Sequence, residues 1–209
     1  MKNNVTMPVL SINRHRLTTD GVGVTTLVAA YGCPLSCKYC INERILNPDS
    51  LKSCVHMTPQ QLYDRLKIDD LYFIATGGGV TFGGGESLLH ADFIAAFREV
   101  CGSKWRITVE SSLNVPMENL RKVLPVVDDY IIDIKDMNPE IYEAYAGRGN
   151  DRVLENLQLL IKEKSPEQIR IRVPKIPEFN TEEDLKSSVE KLQAFGFTNI
   201  EVFPYIIRN

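Results

Sequence analysis

The chain alternates strand-like and helix-like segments over most of its length, and this order restricts the folds open to it. Strands are predicted at Val24–Ala30, Val80–Phe82, Trp105–Val109, Tyr130–Ile134, Ile169–Val173 and Ile200–Phe203. Helices are predicted at Thr58–Lys67, Ser87–Val100, Met117–Leu124, Asn138–Tyr145, Arg152–Lys164 and Thr181–Phe195. Strands separated by helices predict an α/β fold with a parallel sheet, either doubly wound or arranged as a partial barrel.

The unusual motifs of the chain stand where such a fold places its functional groups. Active sites of parallel α/β folds lie at the C-terminal ends of the strands. A cysteine-rich loop follows the first predicted strand, G-G-G-E follows the second, E-S-S the third and D-I-K the fourth. The agreement between motif and position is stronger evidence for a site than any one motif.

Bulk composition describes an ordinary globular chain and excludes several classes of function. With 209 residues and 44% apolar content, the chain is predicted to form a single domain spanning residues 1–209. A net charge of −3 argues against binding to nucleic acid. No apolar run approaches the roughly 20 residues of a membrane span, and Met1–Val9 lacks the features of a secretory signal. We therefore expect a cytoplasmic protein with no membrane or nucleic-acid partner.

Three of the five cysteines, Cys33, Cys37 and Cys40, form a C-x3-C-x2-C run. A compact loop brings their sulfur atoms close together, and such a group calls for a metal, a disulfide or an iron–sulfur cluster. Three clustered cysteines out of five do not make a disulfide framework. We favour a [4Fe–4S] cluster with one iron left open, because an open coordination position allows a metal centre to bind and activate a substrate.

The other two cysteines do not settle the question. Cys54 and Cys101 have no neighbouring cysteine and are interpreted as ordinary semi-buried thiols. A zinc site of the three clustered cysteines and His56 stays open as an alternative, although its ligand spacing is not a common one. The cysteines alone do not choose among these possibilities.

A glycine-rich segment, Gly77–Glu86, surrounds the second predicted strand, Val80–Phe82. Its glycines permit close backbone approach to a ligand and positive φ angles. The segment lacks the patterns of a phosphate-binding loop. We interpret Gly84, Gly85 and Glu86 as a backbone edge and a carboxylate that receive a cationic or amino-bearing ligand.

Charged and polar groups lie within or directly after three further predicted strands. Asp133 and Lys135 point to the same face of their strand, and burying them is costly unless they are paired or bound to a ligand. A structural ion pair is the alternative. Glu110-Ser111-Ser112 is rich in oxygen atoms but could equally cap a helix, and Arg172 could lie on a solvated strand edge.

Taken together, the motifs resemble those of the radical S-adenosylmethionine (SAM) superfamily and, within it, the glycyl-radical-enzyme activating enzymes. The cysteine run, with Tyr39 before its last cysteine, is similar to the superfamily motif. Asp20–Gly23 resembles the family's D-G-P-G opening, and Gly32–Asn42 its G-C-x3-C-x2-C-x-N. Gly78–Leu89 resembles G-G-V-T-F-S-G-G-E-P-L-L, and Asp133–Asn138 resembles D-L-K-x-M-N. The matches occur in the family's order and cover nearly the whole chain.

This resemblance implies a partial (β/α)6 barrel that uses a [4Fe–4S] cluster and SAM as cofactors. Cys33, Cys37 and Cys40 would bind three irons, and the methionine amino and carboxylate groups of SAM would bind the fourth. The residues that the resemblance places against SAM are Tyr39 and Ile41 at the adenine, Gly84, Gly85 and Glu86 at the amino group, Lys135 at the carboxylate and Asp133 near the ribose or a monovalent cation. Ser111 and Arg172 are added as candidate SAM-binding residues.

The implied reaction is the one-electron cleavage of SAM to methionine and a 5′-deoxyadenosyl radical, which removes a hydrogen atom from a backbone glycine of a partner enzyme. The implied partners are a glycyl-radical enzyme, as protein substrate, and an electron donor of the flavodoxin or ferredoxin type. We expect a monomer. Two alternatives stay open: a radical SAM enzyme acting on another peptide or small molecule, and a zinc-stabilised or degenerate binding module without radical chemistry.

Several positions depart from the family pattern. Val22 stands where the D-G-P-G opening has proline, Thr25 stands where the family has an arginine, and Glu110-Ser111-Ser112-Leu113 stands where the family has D-T-N-G. No ferredoxin-like insertion lies between Cys40 and Thr58, so a single cluster is predicted. The sequence ends at Asn209, which predicts a short C-terminus without the family's final helix.

Overall fold

The computed structural model describes residues 5–17 and 19–207, so the end of the chain at Asn209 lies outside the described residues. Its strands are β1 (Met7–Leu17), β2 (Val24–Ala30), β3 (Val55–Met57), β4 (Gly79–Gly84), β5 (Arg106–Ser111), β6 (Asp129–Asp133), β7 (Ile169–Lys175) and β8 (Ile200–Pro204). Its helices are α1 (Pro48–Ser53), α2 (Pro59–Leu66), α3 (Asp70–Thr76), α4 (Ala91–Cys101), α5 (Met117–Val123), α6 (Pro139–Ala146), α7 (Asp151–Glu163) and α8 (Glu182–Ala194). No described helix is long and apolar enough to cross a membrane.

All the strands belong to one sheet, in the order β3-β1-β2-β4-β5-β6-β7-β8. Strand β2 pairs in parallel with β4, and parallel pairing continues from β4 through to β8. Strand β1 runs antiparallel to β2 and β3 runs antiparallel to β1. The parallel α/β architecture is therefore confirmed, and its six parallel strands fit an open, partial (β/α)6 arrangement.

The outer face of the parallel strands packs against the helices. Phe82 of β4 contacts Phe93 and Phe97 of α4, with ring centroids 6.2 and 5.5 Å apart. Trp105 packs at the edge of Phe73 and donates its indole N–H to Asp70 Oδ1 over 2.6 Å. These rings are fully buried, so the main core lies between the sheet and its helices.

The inner face of the same strands is polar. Residues alternate between the two faces of a strand, so Thr81 and Thr108 point inward where Phe82 and Val109 point to the helices. Gly21 sits among these inner threonines: a Cβ on it would lie 3.1 Å from Thr108 Oγ1 and 3.3 Å from Thr25 Cγ2. A polar inner face bounded by strand ends provides the space for a site.

Several elements were not predicted from the sequence. Strand β1 lacks a clean alternation because Arg14 and Arg16 follow its apolar half. Arg14 forms an ion pair with the distant Asp69, and Arg16 forms one with Asp20, four residues further along the chain. The short strand β3 and the helices α1 and α3 were also missed. Segment α3 has apolar side chains both on its exposed face, at Leu71 and Ile74, and on its buried face, at Phe73, so no amphipathic period reveals it.

Candidate functional site

A cavity of about 260 Å³, named here the inner cavity, lies at the C-terminal ends of the parallel strands. It is lined by Cys33, Leu35, Cys37, Cys40, Ile41, Asn42, Ile45, Gly84, Gly85, Glu86, Glu110, Ser111, Ser112, Asp133, Lys135, Tyr145, Arg172, Pro174, Phe203 and Tyr205. Every site residue predicted from the sequence lines this cavity except Tyr39. Motifs separated by more than a hundred residues of chain therefore meet at one place.

The cysteine loop, residues 31–42, is fixed to its neighbours by backbone hydrogen bonds. The N–H groups of Ser36 and Lys38 donate to the carbonyl groups of Ala146 and Tyr145, at the C-terminal end of α6, over 3.0 and 3.1 Å. On its other side the carbonyl of Gly32 accepts the N–H of Glu86 over 2.8 Å. The loop is thus held between the end of α6 and the glycine-rich segment.

Tyr39 lies outside the inner cavity. Its ring packs at the edge of Phe179, with centroids 5.8 Å apart, and its hydroxyl donates to Glu178 Oε2 over 2.7 Å. Its backbone carbonyl accepts a hydrogen bond from the hydroxyl of Tyr205, which follows β8. Tyr39 therefore ties the cysteine loop to the segments after β7 and β8, and its contact with adenine remains a prediction.

The three clustered thiols share the wall of the inner cavity, and all the cysteines are free. Burial raises the pKa of Cys33 to about 12 and also raises the pKa of Cys37. A buried thiol is protonated at neutral pH unless a positive centre stabilises its thiolate. Iron would supply that charge, because ligation deprotonates a thiol.

Glycine is required at residues 84 and 85 because neighbouring segments of the backbone pack closely against them. A Cβ on Gly84, whose φ is +87°, would lie 2.6 Å from the Cβ of Ala29 on β2. A Cβ on Gly85 would collide with the backbone carbonyl oxygen of Gly32. These glycines allow β4 and the following turn to approach β2 and the cysteine loop, and their backbone lines the cavity, where the carbonyl of Gly84 accepts the Asn42 side-chain amide over 2.9 Å.

Glu86 is almost fully buried, and four donors surround its carboxylate. Oε1 accepts the Ser111 hydroxyl over 2.7 Å and the Leu88 N–H over 3.1 Å. Oε2 accepts the N–H of Ser112 over 2.9 Å and its hydroxyl over 2.7 Å. Burial raises the pKa of Glu86, and the hydrogen bonds from the two serines oppose that rise. Both serines therefore orient Glu86 toward the cavity.

Four charged side chains form a row at the ends of β5, β6 and β7: Glu110, Asp133 and Arg172 lie on these strands, and Lys135 follows β6, which ends at Asp133. Arg172 Nε donates to Asp133 Oδ1 over 2.7 Å, and Arg172 Nη1 lies 3.4 Å from Glu110 Oε1. Lys135 Nζ lies 3.6 Å from Asp133 Oδ2. Burial acts to lower the pKa of Lys135, but the Asp133 carboxylate outweighs it and raises that pKa above its ordinary value. Lys135 is therefore a permanent cation beside the cysteine loop.

Glu110 also lines the cavity, although it was not among the site residues predicted from the sequence. Burial raises its pKa to about 7, although Arg172 acts in the opposite direction. Its inward position on β5 followed from strand alternation, but its pairing with Arg172 depends on the register of β5, β6 and β7. The cavity wall also includes Ser112, Tyr145 and Tyr205, which no motif singled out as ligand contacts.

The residues around the inner cavity fit an iron–sulfur cluster better than a single zinc ion. Among the described side chains, no three His, Cys, Asp or Glu groups converge closely enough to bind one metal ion. His56, the proposed fourth zinc ligand, is exposed on β3 and does not line the cavity. Cysteines that bind a cubane cluster are spaced more widely than ligands of one zinc, because each binds a different iron.

Comparison with known families agrees with this geometry. The model of the Radical SAM superfamily matches residues 27–204, which span the sheet from β2 to β8. The chain belongs to the radical SAM superfamily, and membership implies a [4Fe–4S] cluster and SAM as its cofactors. It is a radical SAM enzyme of the kind represented by the glycyl-radical-enzyme activating enzymes.

Two curated relatives illustrate that kinship. The isethionate sulfite-lyase activating enzyme of Desulfovibrio desulfuricans is 29% identical over 246 residues, covering 89% of this chain and 79% of that enzyme. The (2S)-3-sulfopropanediol dehydratase activating enzyme of Klebsiella oxytoca is 30% identical over 237 residues, covering 85% and 74%. Streptococcus suis SuiB, solved with its precursor peptide SuiA, matches with a TM-score of 0.65 at 12% identity. That match covers 86% of this chain and 38% of SuiB, and at 12% identity it supports the fold alone.

Proposed function

We propose that this enzyme installs a glycyl radical on a partner enzyme. The observation that carries the proposal is the meeting, in one inner cavity, of the three clustered cysteines with Glu86 and Lys135. Curated relatives that cover most of the chain are named as activating enzymes, which supports a protein substrate. On one-electron reduction, a cluster with bound SAM supplies a 5′-deoxyadenosyl radical.

Each cavity residue has a proposed task in holding these groups. Cys33, Cys37 and Cys40 would ligate three irons. Lys135, a permanent cation, would pair with the carboxylate of SAM, while Glu86 and the backbone edge of residues 84–85 would receive the amino group. Because Ser111 and Ser112 fix the carboxylate of Glu86, the amino group meets an acceptor that is already oriented, which lowers the cost of ordering on binding.

Three of the four charged side chains in the row, Glu110, Arg172 and Asp133, would face the ribose side of SAM. Asp133 is held by Arg172 on one side and by Lys135 on the other. Burial acts to raise the pKa of Asp133, but Lys135 and Arg172 outweigh it and lower the pKa below its ordinary value. Asp133 would therefore remain ionised and accept hydrogen bonds from the sugar hydroxyls.

Anaerobic reconstitution followed by iron and sulfide assays tests the cofactor assignment. We expect about four irons and four sulfides per chain, the content of a cubane cluster. Stoichiometric zinc without sulfide would support the binding-module alternative. Cys37→Ala should abolish formation of 5′-deoxyadenosine from SAM and reductant, and retained formation would contradict the ligand assignment.

Electron paramagnetic resonance tests the choice of substrate. The reconstituted enzyme, SAM and reductant are mixed with a glycyl-radical enzyme encoded beside this chain's gene, and a glycyl radical signal is expected on that partner. SAM cleavage without a radical on the partner would favour a peptide or a small molecule as substrate. The monomeric state is tested on the same preparation by light scattering.

A further inference from the structure

A second and larger cavity, of about 670 Å³, lies on the other side of the cysteine loop and is named here the outer cavity. Three consecutive residues, Cys40, Ile41 and Asn42, line both cavities. The loop is therefore a single layer of chain between the two spaces. Tyr39, whose predicted contact is with adenine, also lines the outer cavity, but the two cations that line it, Lys38 and Arg44, have no role assigned above.

Two cationic side chains line the outer cavity. Lys38 and Arg44 line it and are exposed, and neither side chain forms an ion pair or hydrogen bond with the side chains that the structure describes. The inner cations differ, because Lys135 and Arg172 each lie beside a carboxylate. On a chain with a net charge of −3, two exposed cations at this place that have no ion-pair partner among the described side chains favour an acidic partner.

Exposed apolar side chains adjoin these cations. Ile41 is 61% exposed and Ile207 is 39% exposed, and both line the outer cavity. The segment that contains Arg44 also exposes Leu46 and Leu51. Apolar contacts bordered by charge are the pattern of a protein docking surface, in which the charges guide encounter and orientation.

The position of the outer cavity decides which partner it suits. Hydrogen-atom abstraction requires contact with the reacting group, so a substrate in the outer cavity, behind the loop, would be out of reach of the inner cavity. An electron, by contrast, can cross one layer of chain through the Cys40 sulfur. We propose that the outer cavity, with Lys38 and Arg44, is the docking surface for an acidic one-electron donor protein.

This proposal rests on the proposed function, because reductive cleavage of SAM needs one electron for each turnover. In the step proposed, the reduced donor loses one electron and the cluster gains it, and no bond forms or breaks. A reduced flavodoxin, which passes from hydroquinone to semiquinone, supplies that electron and serves as the experimental probe.

The test compares the wild-type enzyme with the double variant Lys38→Gln/Arg44→Gln, both reconstituted with the cluster. With limiting reduced flavodoxin, we expect the variant to form 5′-deoxyadenosine about tenfold more slowly and to show a weaker dependence on salt. With dithionite, a small reductant that needs no docking surface, we expect equal rates. Arg65→Gln/Lys104→Gln is the matched control, since it removes the same charge at exposed residues outside the outer cavity.

Binding of oxidised flavodoxin, measured by calorimetry, tests the surface independently of radical chemistry. We expect the dissociation constant to rise about tenfold in Lys38→Gln/Arg44→Gln and to stay unchanged in the control pair. Three results for Lys38→Gln/Arg44→Gln would each overturn the proposal. They are an unchanged dissociation constant for flavodoxin, a loss of rate with dithionite equal to the loss with flavodoxin, and weakened binding to the glycyl-radical enzyme but not to flavodoxin. Failure of SAM cleavage with dithionite in the wild type would count against the proposed function, whereas the binding result would still decide the docking surface.

Discussion

Replacing Glu86 with glutamine should destabilise the protein by an amount that its hydrogen bonds predict. Each carboxylate oxygen accepts one backbone N–H and one hydroxyl, from Leu88 and Ser111 on one side and from Ser112 on the other. Glutamine offers one carbonyl oxygen and one NH2 group. Whichever way the amide is turned, its NH2 faces a backbone N–H that cannot rotate away.

The magnitude follows from that unmet donor. A buried donor left without an acceptor costs about 1–3 kcal/mol, and the remaining hydrogen bonds lose the assistance of a charge. Glutamine also removes the cost of burying an ionised carboxylate, which the raised pKa of Glu86 reflects and which offsets part of the loss. We expect Glu86→Gln to lower the free energy of unfolding by about 2 kcal/mol, which corresponds to a melting temperature roughly 4–8 °C lower.

Urea titration of the metal-free protein, followed by far-ultraviolet circular dichroism, measures this change. Ser112→Ala is the comparison variant, because it removes one hydroxyl but leaves its N–H bonded to Glu86, and it should cost about 1 kcal/mol. The decisive result is that Glu86→Gln loses more unfolding free energy than Ser112→Ala. A Glu86→Gln protein as stable as the wild type would refute an ionised Glu86 that accepts four hydrogen bonds.

Two further predictions concern the same cavity. The pKa of Glu110 is raised to about 7 in the folded protein from an ordinary value of 4.5, so the folded state holds its proton more tightly than the unfolded state. The wild type should therefore lose up to about 3 kcal/mol of stability relative to Glu110→Gln as pH rises from about 4.5 to about 7, measured by urea titrations across that range. A constant difference between the two proteins would contradict the burial of that carboxyl. Gly85→Ala should cost about 3 kcal/mol or prevent reconstitution of the cluster, because its Cβ meets the backbone of Gly32. Gly149→Ala is its control: the nearest atom to a Cβ there is 3.8 Å away, so iron content and stability should stay close to wild type.

Most of the fold could be predicted because its signals are local. Strand β2 has the predicted bounds, and helix α2 begins after Thr58, the predicted N-cap, whose side chain accepts the backbone N–H of Gln61. The polar half of β1 could not be predicted, because Arg14 and Arg16 are accommodated there through ion pairs with Asp69, which is distant in sequence, and with Asp20, which lies beyond the end of the strand. Local propensity carries no information about those partners.

The candidate site likewise has parts that could be predicted from the sequence and parts that could not. Residues within a motif, such as the three cysteines and the Asp133–Lys135 pair, could be assigned to one place from spacing and strand alternation. Contacts that cross strands could not, because they depend on register. The attachment of Tyr39 to Glu178 is such a contact, since it joins the first strand–loop unit to the segment after β7. The sequence places Tyr39 beside a cluster ligand but cannot show which way its ring turns.

Two departures from the family pattern, Gly83 on β4 and Glu110 on β5, lie side by side because β4 pairs with β5. The family motif has serine where this chain has Gly83, and aspartate where it has Glu110. A Cβ on Gly83 would lie 2.6 Å from Glu110 Oε2, so the longer carboxylate occupies the space that a serine side chain requires. Arg172 holds Glu110 from the other side and resists its displacement.

This shared space predicts that substitutions at the two positions are coupled. Gly83→Ser alone should destabilise the protein by about 1–3 kcal/mol, as overpacking does. Glu110→Asp, which shortens the carboxylate by one methylene, should recover at least 0.5 kcal/mol of that loss when both changes are combined, a coupling typical of residues in contact. Urea titrations of the two single variants and the double variant close this cycle. Strictly additive losses would show that the two departures are independent.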